Sequence, residues 1–427
     1  SRPGWANADG WGRGVHRLGS IISQARHGDS GDPGNMSESI GRITRIAVSN
    51  YRSLGRSQAV SLGDFTVLVG PNGSGKSNAV DVVSFVRDAM HMGLSGAITD
   101  RGGIAAVRRW SSGHPYNVSI ALDVVVDAWV GSYSFEITGD RKEEFRIKSE
   151  AAQLHRGGER LAFSVEGGEW KGPKGLEPKV YDTALALPTI AGDDRFRGLF
   201  DLLANPVIYA IFPDTLRRPQ KYSPEKPMHR HGDNWVSILR DQDQASWKPE
   251  VVAALGKLTG DIDDIKVSKA ASYLVAQFRH ASNGQGKWFD AAQESDGTLR
   301  VAGILSALLQ EPPLPLIGVE EPELTVHPGA LPLLMDYLRQ ASRRSQVLIT
   351  THSPELLDLV EPQEVRVVQK SEEGTIVRPM AQDQLAAVRE GLLGLGELMT
   401  TEGLRQTLER ALTFLDRSLD TSEVYPV

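Results

Sequence analysis

Short apolar runs alternate along this chain with segments whose apolar residues recur at helical spacing. Three runs predict buried strands, at Phe65–Val69, Leu314–Val319 and Gln346–Thr350. Leu299–Leu309 is typical of an apolar helix, and the spacing of apolar residues over 331–338 predicts another helix with one buried face. Strands that alternate with helices in this way predict an α/β fold with a mixed central sheet.

The middle of the chain has a different pattern. Apolar and polar residues alternate within residues 118–190, for example over Ser132–Ile137, which predicts an antiparallel β region. Residues from about 195 to 290 predict a small helical lobe, with helices at Phe196–Leu203, Trp235–Leu239 and Pro249–Leu258 and two later strands. The sequence contains no sustained heptad repeat, so we expect no long coiled-coil arm.

The two ends of the chain lack strand patterns. Residues 1–38 are rich in Gly, Ser, Arg and Asp and have no periodicity, so we interpret them as a disordered extension or as upstream sequence, with Met36 as the candidate natural start. Residues 39–427 are predicted to form one elaborated domain that carries both inserted regions. Its tail, Leu385–Arg417, predicts amphipathic packing helices.

Composition narrows the function classes. The 427 residues are 40% hydrophobic and 24% charged, which is ordinary for a protein with a sizeable core. A net charge of −7 argues against binding polyanions over the whole surface. There is no cysteine, so disulfides and thiolate metal sites are excluded, and no apolar run reaches the length of a membrane span. We therefore expect a cytoplasmic protein that is not embedded in a membrane.

The pattern G-x-x-x-x-G-K-[ST] is complete from Gly70 to Ser77, directly after a buried strand and before a helical segment. This arrangement predicts a phosphate loop of a nucleotide triphosphatase, because glycines let successive backbone N–H groups turn toward an anion. Lys76 is expected to reach the phosphates of ATP, and the Ser77 hydroxyl is expected to bind Mg²⁺. The predicted nucleotide-binding residues here are Asn72, Gly73, Ser74, Gly75, Lys76, Ser77 and Asn78.

Two later strands end in polar residues that suit the same site. The strand at Leu314–Val319 is followed by Glu320 and Glu321; we assign Glu320 to the metal and Glu321 to the base that activates the attacking water. The strand at Gln346–Thr350 is followed by His352, which we expect to sense the γ-phosphate, because ligands bind at the carboxyl ends of such strands.

Two further motifs complete the candidate site. Ser295 and Gly297 stand at the start of the apolar helix, where a hydroxyl and free N–H groups can bind an anion, although an ordinary helix cap has the same pattern. Arg52, in Asn50-Tyr-Arg-Ser, follows the first strand and could approach the nucleotide, although a surface arginine is an alternative interpretation.

In this order the motifs resemble those of ATP-binding-cassette ATPases of the chromosome-maintenance (SMC), RecF and OLD type, from about Ile43 to Asp358. The resemblance implies a P-loop ATPase head with ATP and Mg²⁺ as cofactors. It also implies that Ser295-Asp-Gly297 is the signature motif, which caps the γ-phosphate bound by a second copy, so that two heads enclose two ATP molecules. The segment Glu323–His327 would then lie at the dimer seam.

The chain also departs from this group. It has no coiled-coil arm between phosphate loop and signature, no cluster of acids after His352 that would serve a nuclease domain, and no placeable glutamine loop. The resemblance therefore favours an ATPase that works as a homodimer or higher oligomer with a separately encoded effector, a nuclease or toxin, in anti-phage defence or DNA repair and maintenance.

Two alternatives remain open. A RecF-like repair ATPase without an effector would bind DNA through basic groups such as 216–231, Arg101, Arg108 and Arg109, although basic loops are usually solvated surface. A nucleotide-binding subunit of a transporter is disfavoured by the β-rich stretch between phosphate loop and signature.

Overall fold

The computed structural model describes residues 41–407, except 57, 142, 243–246 and 283–284. Within this range the chain forms two compact units. One contains residues up to 47 and 88–204, and the other contains 48–87 and residues from 205 onward. The predicted disordered extension 1–38 and the predicted helix residues 408–417 lie outside the described residues.

Seventeen strands are present in the described part of the chain. They are β1 (Arg42–Ser49), β2 (Gln58–Ser61), β3 (Phe65–Val69), β4 (Val118–Val126), β5 (Trp129–Thr138), β6 (Arg146–Arg156), β7 (Glu159–Glu166), β8 (Glu169–Lys171), β9 (Val207–Tyr209), β10 (Gln220–Lys221), β11 (Ile262–Ala270), β12 (Tyr273–Ser282), β13 (Gln285–Asp290), β14 (Leu316–Glu320), β15 (Gln346–Thr351), β16 (Val365–Ser371) and β17 (Gly374–Pro379).

The helices in the same residues are mostly short. They are α1 (Lys76–His91), α2 (Gly93–Asp100), α3 (Ile104–Val107), α4 (Leu187–Ile190), α5 (Asp194–Ala204), α6 (Pro213–Leu216), α7 (Trp235–Asp241), α8 (Trp247–Thr259), α9 (Asp296–Leu309), α10 (Leu331–Ala341), α11 (Pro354–Leu357), α12 (Gln382–Arg389) and α13 (Leu395–Thr401). None of them combines the length and apolar character that crossing a bilayer requires.

The larger unit is built on a six-stranded sheet in the order β17-β16-β3-β15-β14-β9. Neighbouring strands from β16 to β9 are parallel, and β17 is antiparallel at the edge. All residues of β3 and β15 are buried, as expected for strands covered on both faces. The central strands predicted from the sequence are therefore present, and they place their carboxyl ends at one edge.

Helix α9 lies in the core of this unit. Ten of its fourteen residues are buried, from Leu299 to Leu308, which explains why its sequence is apolar on nearly all sides. It contacts α7, α8, α10 and β14. The start of α9 is consequently fixed relative to the end of β14.

The smaller unit contains the predicted antiparallel β region. Strands β4, β5, β6, β7 and β8 pair in sequence order, each antiparallel to the next. Strand β4 alternates buried and half-buried residues over its whole length, the pattern of a sheet with one covered face. Helix α5 contacts β4 and belongs to the same unit.

The region predicted as a helical lobe is more mixed than its sequence pattern indicated. Residues 195–290 contain most of α5 together with α6, α7 and α8, and the two later strands predicted from the sequence are present as β11 and β12. These two strands form a separate antiparallel sheet with β10 and β13, and β9 of the central sheet also lies in this range. The longest helix in the described residues, α1, has 16 residues, which agrees with the lack of a heptad repeat. The division of the chain into the predicted domains stays a prediction.

Candidate functional site

The register of the central sheet brings the predicted motifs to one edge. Val69, the last residue of β3, pairs with Thr351 of β15, and Thr350 pairs with Glu320 at the end of β14. The phosphate loop, the two acids and His352 follow these three strand ends directly. The parallel sheet therefore places in one region groups that are far apart in the sequence.

The phosphate loop has the backbone conformation that its glycines permit. Gly73 and Gly75 have φ values of +75° and +104°, in the left-handed region that other residues avoid. The Lys76 side chain is buried and folds back over the loop, where Nζ donates to the carbonyl oxygen of Gly70 at 2.7 Å. Burial lowers the pKa of Lys76, while the charges of Glu321 and Glu323 oppose that change.

A hydrogen-bond network joins the phosphate loop to the segment that follows β1. The Thr375 hydroxyl donates to the Ser74 carbonyl at 2.8 Å and accepts from the Ser53 hydroxyl, whose Oγ is also 2.8 Å away. Asn78, just inside α1, donates to the same Ser53 oxygen at 2.7 Å. Asn78 thus contacts this segment in the structure, and the network holds the loop in place before any ligand binds.

The predicted nucleotide-binding residues of the loop differ in exposure. Asn72, Gly73 and Ser77 are exposed, whereas Lys76 and Ser74 are buried, and the Ser74 hydroxyl has no hydrogen-bond partner among the described residues. The positive end of α1 starts at Lys76, so the loop amides and the helix dipole favour an anion here.

Glu320 lies at the end of β14 and is largely buried, with 15% of its side chain exposed. Its Oε1 accepts a hydrogen bond from the guanidinium of Arg230, a residue of the basic segment 216–231. The oxygen donors of Ser77 and Glu320 fit Mg²⁺, which takes few protein ligands and completes its shell with phosphates and water. No group of three or more His, Cys, Asp or Glu side chains arranged for a metal occurs in the described residues.

Glu321 and His352 contact one another. Nδ1 of His352 lies 3.0 Å from Oε1 of Glu321 and must carry the proton, since a carboxylate only accepts. Glu321 has a left-handed backbone, with φ of +46°, which turns it out of the strand direction. Its own N–H donates to the Thr350 carbonyl at 2.9 Å.

Arg300 fixes the backbone at these two acids. It is 4% exposed, and its guanidinium donates to the carbonyl oxygens of Glu320 at 3.0 Å and Glu321 at 2.7 Å. It also donates to the carbonyl of Ile211, beyond β9. Since Arg300 belongs to α9, it ties the helix that begins at the candidate signature to the carboxylates.

Glu323 is a second buried acid at this edge. Its Oε1 accepts from the Thr351 hydroxyl at 2.6 Å and from the N–H of His352, whereas its buried Oε2 has no hydrogen-bond partner in the described part of the chain. Burial raises the pKa of Glu323, and the hydrogen bond from Thr351 partly counteracts this. Glu323 therefore positions the segment that carries His352.

The candidate signature residues lie at the start of α9, as the sequence predicts. Ser295 is the N-cap, and its exposed Oγ accepts from the N–H of Thr298 at 3.1 Å. A Cβ added at Gly297 would lie 2.7 Å from the carbonyl of Thr325, so this glycine allows close contact with the loop after β14. Arg217 pairs with Asp296, and His280 bridges Asp261 and Glu294 just before the cap.

Arg52 points toward α1. Its Nε lies 3.2 Å from Asp81, which also accepts from the Tyr51 hydroxyl, and its φ is +48°. Its role toward the nucleotide stays a prediction, as do the roles of the other site residues.

The basic groups are partly neutralised in the structure. Arg217 and Arg230 pair with Asp296 and Glu320, and Arg101 pairs with Asp88 at 3.0 Å. Arg108 is buried and donates to the carbonyl of Arg141.

Sequence reasoning missed the roles of Arg230, Arg300 and Glu323. Arg300 follows the candidate signature in the same helix, and Glu323 begins the segment predicted for the dimer seam, but neither pattern indicates the hydrogen bonds that these side chains make. The sequence indicates only that Arg230 lies in a basic loop, because its partner Glu320 is 90 residues away in the chain.

The model of the family described as "AAA domain, putative AbiEii toxin, Type IV TA system" matches residues 65–160 and 192–358, more than half of the chain. The chain is 23% identical over 388 residues to Old nuclease of Escherichia phage P2, which covers 81% of this chain and 62% of that protein. It thus spans less than two thirds of this relative. Structural maintenance of chromosomes protein 1 of Schizosaccharomyces pombe is 46% identical over 48 residues, 11% of this chain and 4% of its own.

The fold is also similar to a solved structure. The crystal structure of the SmcHead bound to the C-winged helix domain of ScpA aligns with a TM-score of 0.51 and 12% identity, over 81% of this chain and 99% of that chain. This likeness confirms the predicted fold class of a P-loop ATPase head.

Proposed function

Because the chain belongs to this AAA domain family and resembles ATPases of the SMC and OLD type in its motifs and fold, we propose that it binds ATP with Mg²⁺, hydrolyses it, and uses the cycle to close and reopen a dimer of two heads. The observation that carries the proposal is the shared edge of the central sheet. There the phosphate loop, Glu320, Glu321 and His352 follow three neighbouring parallel strands.

The phosphate loop would bind the nucleotide. Its amides and Lys76 provide positive charge, and the loop is already held in shape by Thr375 and Ser53, so little reorganisation precedes binding. Ser77 and Glu320 would hold Mg²⁺, which when bound neutralises phosphate charge.

Glu321 is the proposed general base, and His352 its neighbour on the phosphate side. The left-handed turn at Glu321 and the hydrogen bond from His352 fix the direction of the carboxylate. A base held in this way accepts the proton of the attacking water, while positioning and electrostatics supply the rest of the acceleration.

The proposal of a dimer is based on the residues at the start of α9. Ser295 is exposed there, and the N-terminal end of a buried 14-residue helix favours an anion. A second copy would present its own phosphate-bound nucleotide to this end. Val326 and His327 follow the loop that Gly297 contacts, so the same surface would include the proposed dimer seam.

For the biological role, we propose an ATPase subunit that acts in the cytoplasm with a separate effector protein, a nuclease or toxin, in bacterial anti-phage defence or in DNA repair and maintenance. The similarity to Old nuclease of a phage supports this class of role. Affinity purification of the tagged chain from its native cell, with and without ATP, would test it, since an effector should be retained and identified by mass spectrometry.

The ATPase cycle is tested by Glu321→Gln. Gln cannot accept the water's proton, so hydrolysis should fall by roughly 10² to 10⁴, whereas ATP affinity should be retained. With ATP and Mg²⁺ the variant should accumulate as a dimer in size-exclusion chromatography coupled to light scattering.

Glu355→Gln is the matched control, because Glu355 is an exposed acid that accepts a hydrogen bond from the nearby Ser353 hydroxyl. It should hydrolyse ATP at the wild-type rate. Wild-type turnover by Glu321→Gln would show that Glu321 is not the base.

A further inference from the structure

Arg230 occupies the carboxylate that the proposed function assigns to the metal. Its guanidinium donates to Oε1 of Glu320 at the end of β14. Only 15% of the Glu320 side chain and 36% of the Arg230 side chain are exposed, so the ion pair is poorly screened by water. Among the described groups, this is the only side chain hydrogen-bonded to the Glu320 carboxylate.

A guanidinium and a divalent cation cannot share this oxygen. Both are positive, and they repel one another strongly at a separation of a few ångströms in a half-buried site. Glu320 can turn its oxygen to a cation only after the Arg230 side chain has left. The two partners of Glu320 therefore compete for Oε1.

The backbone of Arg230 is anchored independently of its ion pair with Glu320. Its carbonyl accepts from the N–H of Ala210 at 2.9 Å, just beyond β9, and the next residue, His231, contacts the Ala210 carbonyl at 2.9 Å. The carbonyl of Glu320 is held separately by Arg300. Release of the ion pair thus leaves both backbones in place.

The same segment also contacts the start of α9. Arg217, thirteen residues earlier, pairs with Asp296 beside Ser295 and reaches the carbonyl of Glu294. One segment, residues 217–230, therefore connects the metal acid with the candidate signature.

We propose that Arg230 is a latch on Glu320, which neutralises the metal acid in the nucleotide-free protein and is displaced when Mg²⁺ and nucleotide bind. The inference rests on the proposed function, because it assumes that Glu320 binds Mg²⁺. Since the latch competes with the cation, it raises the apparent Kd for Mg²⁺ by the reciprocal of the fraction of molecules in which it is open. Displacement releases the Arg230 side chain, whereas the backbone at Arg230 stays anchored to Ala210.

The test is binding, without turnover, of a fluorescent ATP analogue to the full chain. The affinity for the analogue is measured in EDTA and then over a series of Mg²⁺ concentrations. In Arg230→Met, the Mg²⁺ concentration that gives half of the affinity gain should fall about tenfold, a coupling within the usual range. Affinity in EDTA should change by less than about twofold, because the phosphate loop is intact.

Arg218→Met is the matched control. Arg218 is an exposed residue of the same segment, and it should leave the Mg²⁺ requirement unchanged. Arg230→Gln repeats the measurement with a polar side chain, and thermal unfolding in EDTA verifies that each variant is folded.

The outcomes separate the two proposals. An unchanged Mg²⁺ requirement in Arg230→Met and Arg230→Gln overturns the latch. A requirement that rises overturns it as well, because Arg230 would then orient Glu320 for the metal. If the wild-type chain binds no nucleotide with or without Mg²⁺, the proposed function itself fails.

Discussion

A Cβ atom at position 70 would lie 2.2 Å from the carbonyl oxygen of Val368 and 2.9 Å from Ser74 Oγ. The first contact is with backbone, which cannot rotate away. Gly70 is therefore required by close packing against β16, whereas Gly73, with open space around it, is required by its positive φ. Two glycines of one motif serve different physical needs.

Gly70→Ala adds only one methyl group, but it should distort the phosphate loop because this group would clash with backbone. The clash should cost about 1–3 kcal/mol of folding free energy and shift the loop, which should weaken ATP binding at least about tenfold. Urea unfolding and nucleotide titration measure the two effects. Gly192→Ala is the control, since a Cβ there meets nothing within 4 Å, and equal behaviour of the two variants would contradict this account.

At the scale of elements, buried polar groups join segments that are distant in sequence. Arg300 ties α9 to the end of β14, and Thr375 ties β17 to the phosphate loop. In the smaller unit Glu150 of β6 does the same: it is 1% exposed and accepts from the N–H groups of Ala186 and Leu187 at the start of α4, and from the Tyr133 hydroxyl.

Glu150 should make the stability of its unit depend on pH. Burial raises its pKa to about 6, although the three hydrogen bonds favour the charged form. Because the folded pKa lies above the unfolded one, the stabilising contribution is complete below about pH 4.5 and is lost as the pH rises through about 6. The loss should be about 2 kcal/mol.

Glu150→Gln removes this titration. Urea unfolding at pH 4.5 and pH 7.5 should show that the wild-type chain loses about 2 kcal/mol more than the variant over this interval. Glu166→Gln, which changes an exposed glutamate of the neighbouring strand, should behave as wild type. The same pH dependence in wild type and Glu150→Gln would mean that Glu150 is not the titrating group.

At the scale of the whole molecule, the proposed dimer makes each ATP site from two copies. The phosphate loop and the start of α9 belong to the same unit of one chain, yet Ser295 is exposed and its hydroxyl only caps its own helix. A composite site explains why an exposed signature serine would matter to hydrolysis.

Mixed variants should reveal this arrangement. Lys76→Ala and Ser295→Arg should each be inactive alone, the first in the loop and the second in the signature. In an equimolar mixture, half of the dimers have one intact composite site, so about a quarter of the wild-type ATPase rate should return. A mixture of Lys76→Ala with Glu321→Gln is the control; both changes lie on the loop side, and no activity should return. Absence of recovery in the first mixture would argue that each chain hydrolyses ATP alone.

The sequence by itself determined the local parts of this protein. These parts are the buried strands, the phosphate loop, the acids at Glu320 and Glu321, and the cap at Ser295. Each depends on neighbouring residues, so the periodicity of apolar residues and the positions of glycines in the sequence are enough to predict it. The resemblance to ATPases of the SMC and OLD type followed from these motifs and is confirmed.

Only the tertiary structure decided which of these parts contact each other. Three features join residues that are far apart in the chain. They are the pairing of Arg230 with Glu320, the hydrogen bonds from Arg300 to the carbonyl groups of the two acids, and the sheet of β10–β13 in a region predicted to be mainly helical. Such contacts depend on the register and packing of whole elements, so no local sequence pattern predicts them. The physical reason is that the free energy of burying apolar surface depends on contacts across the whole core, whereas a local sequence pattern reflects only neighbouring residues.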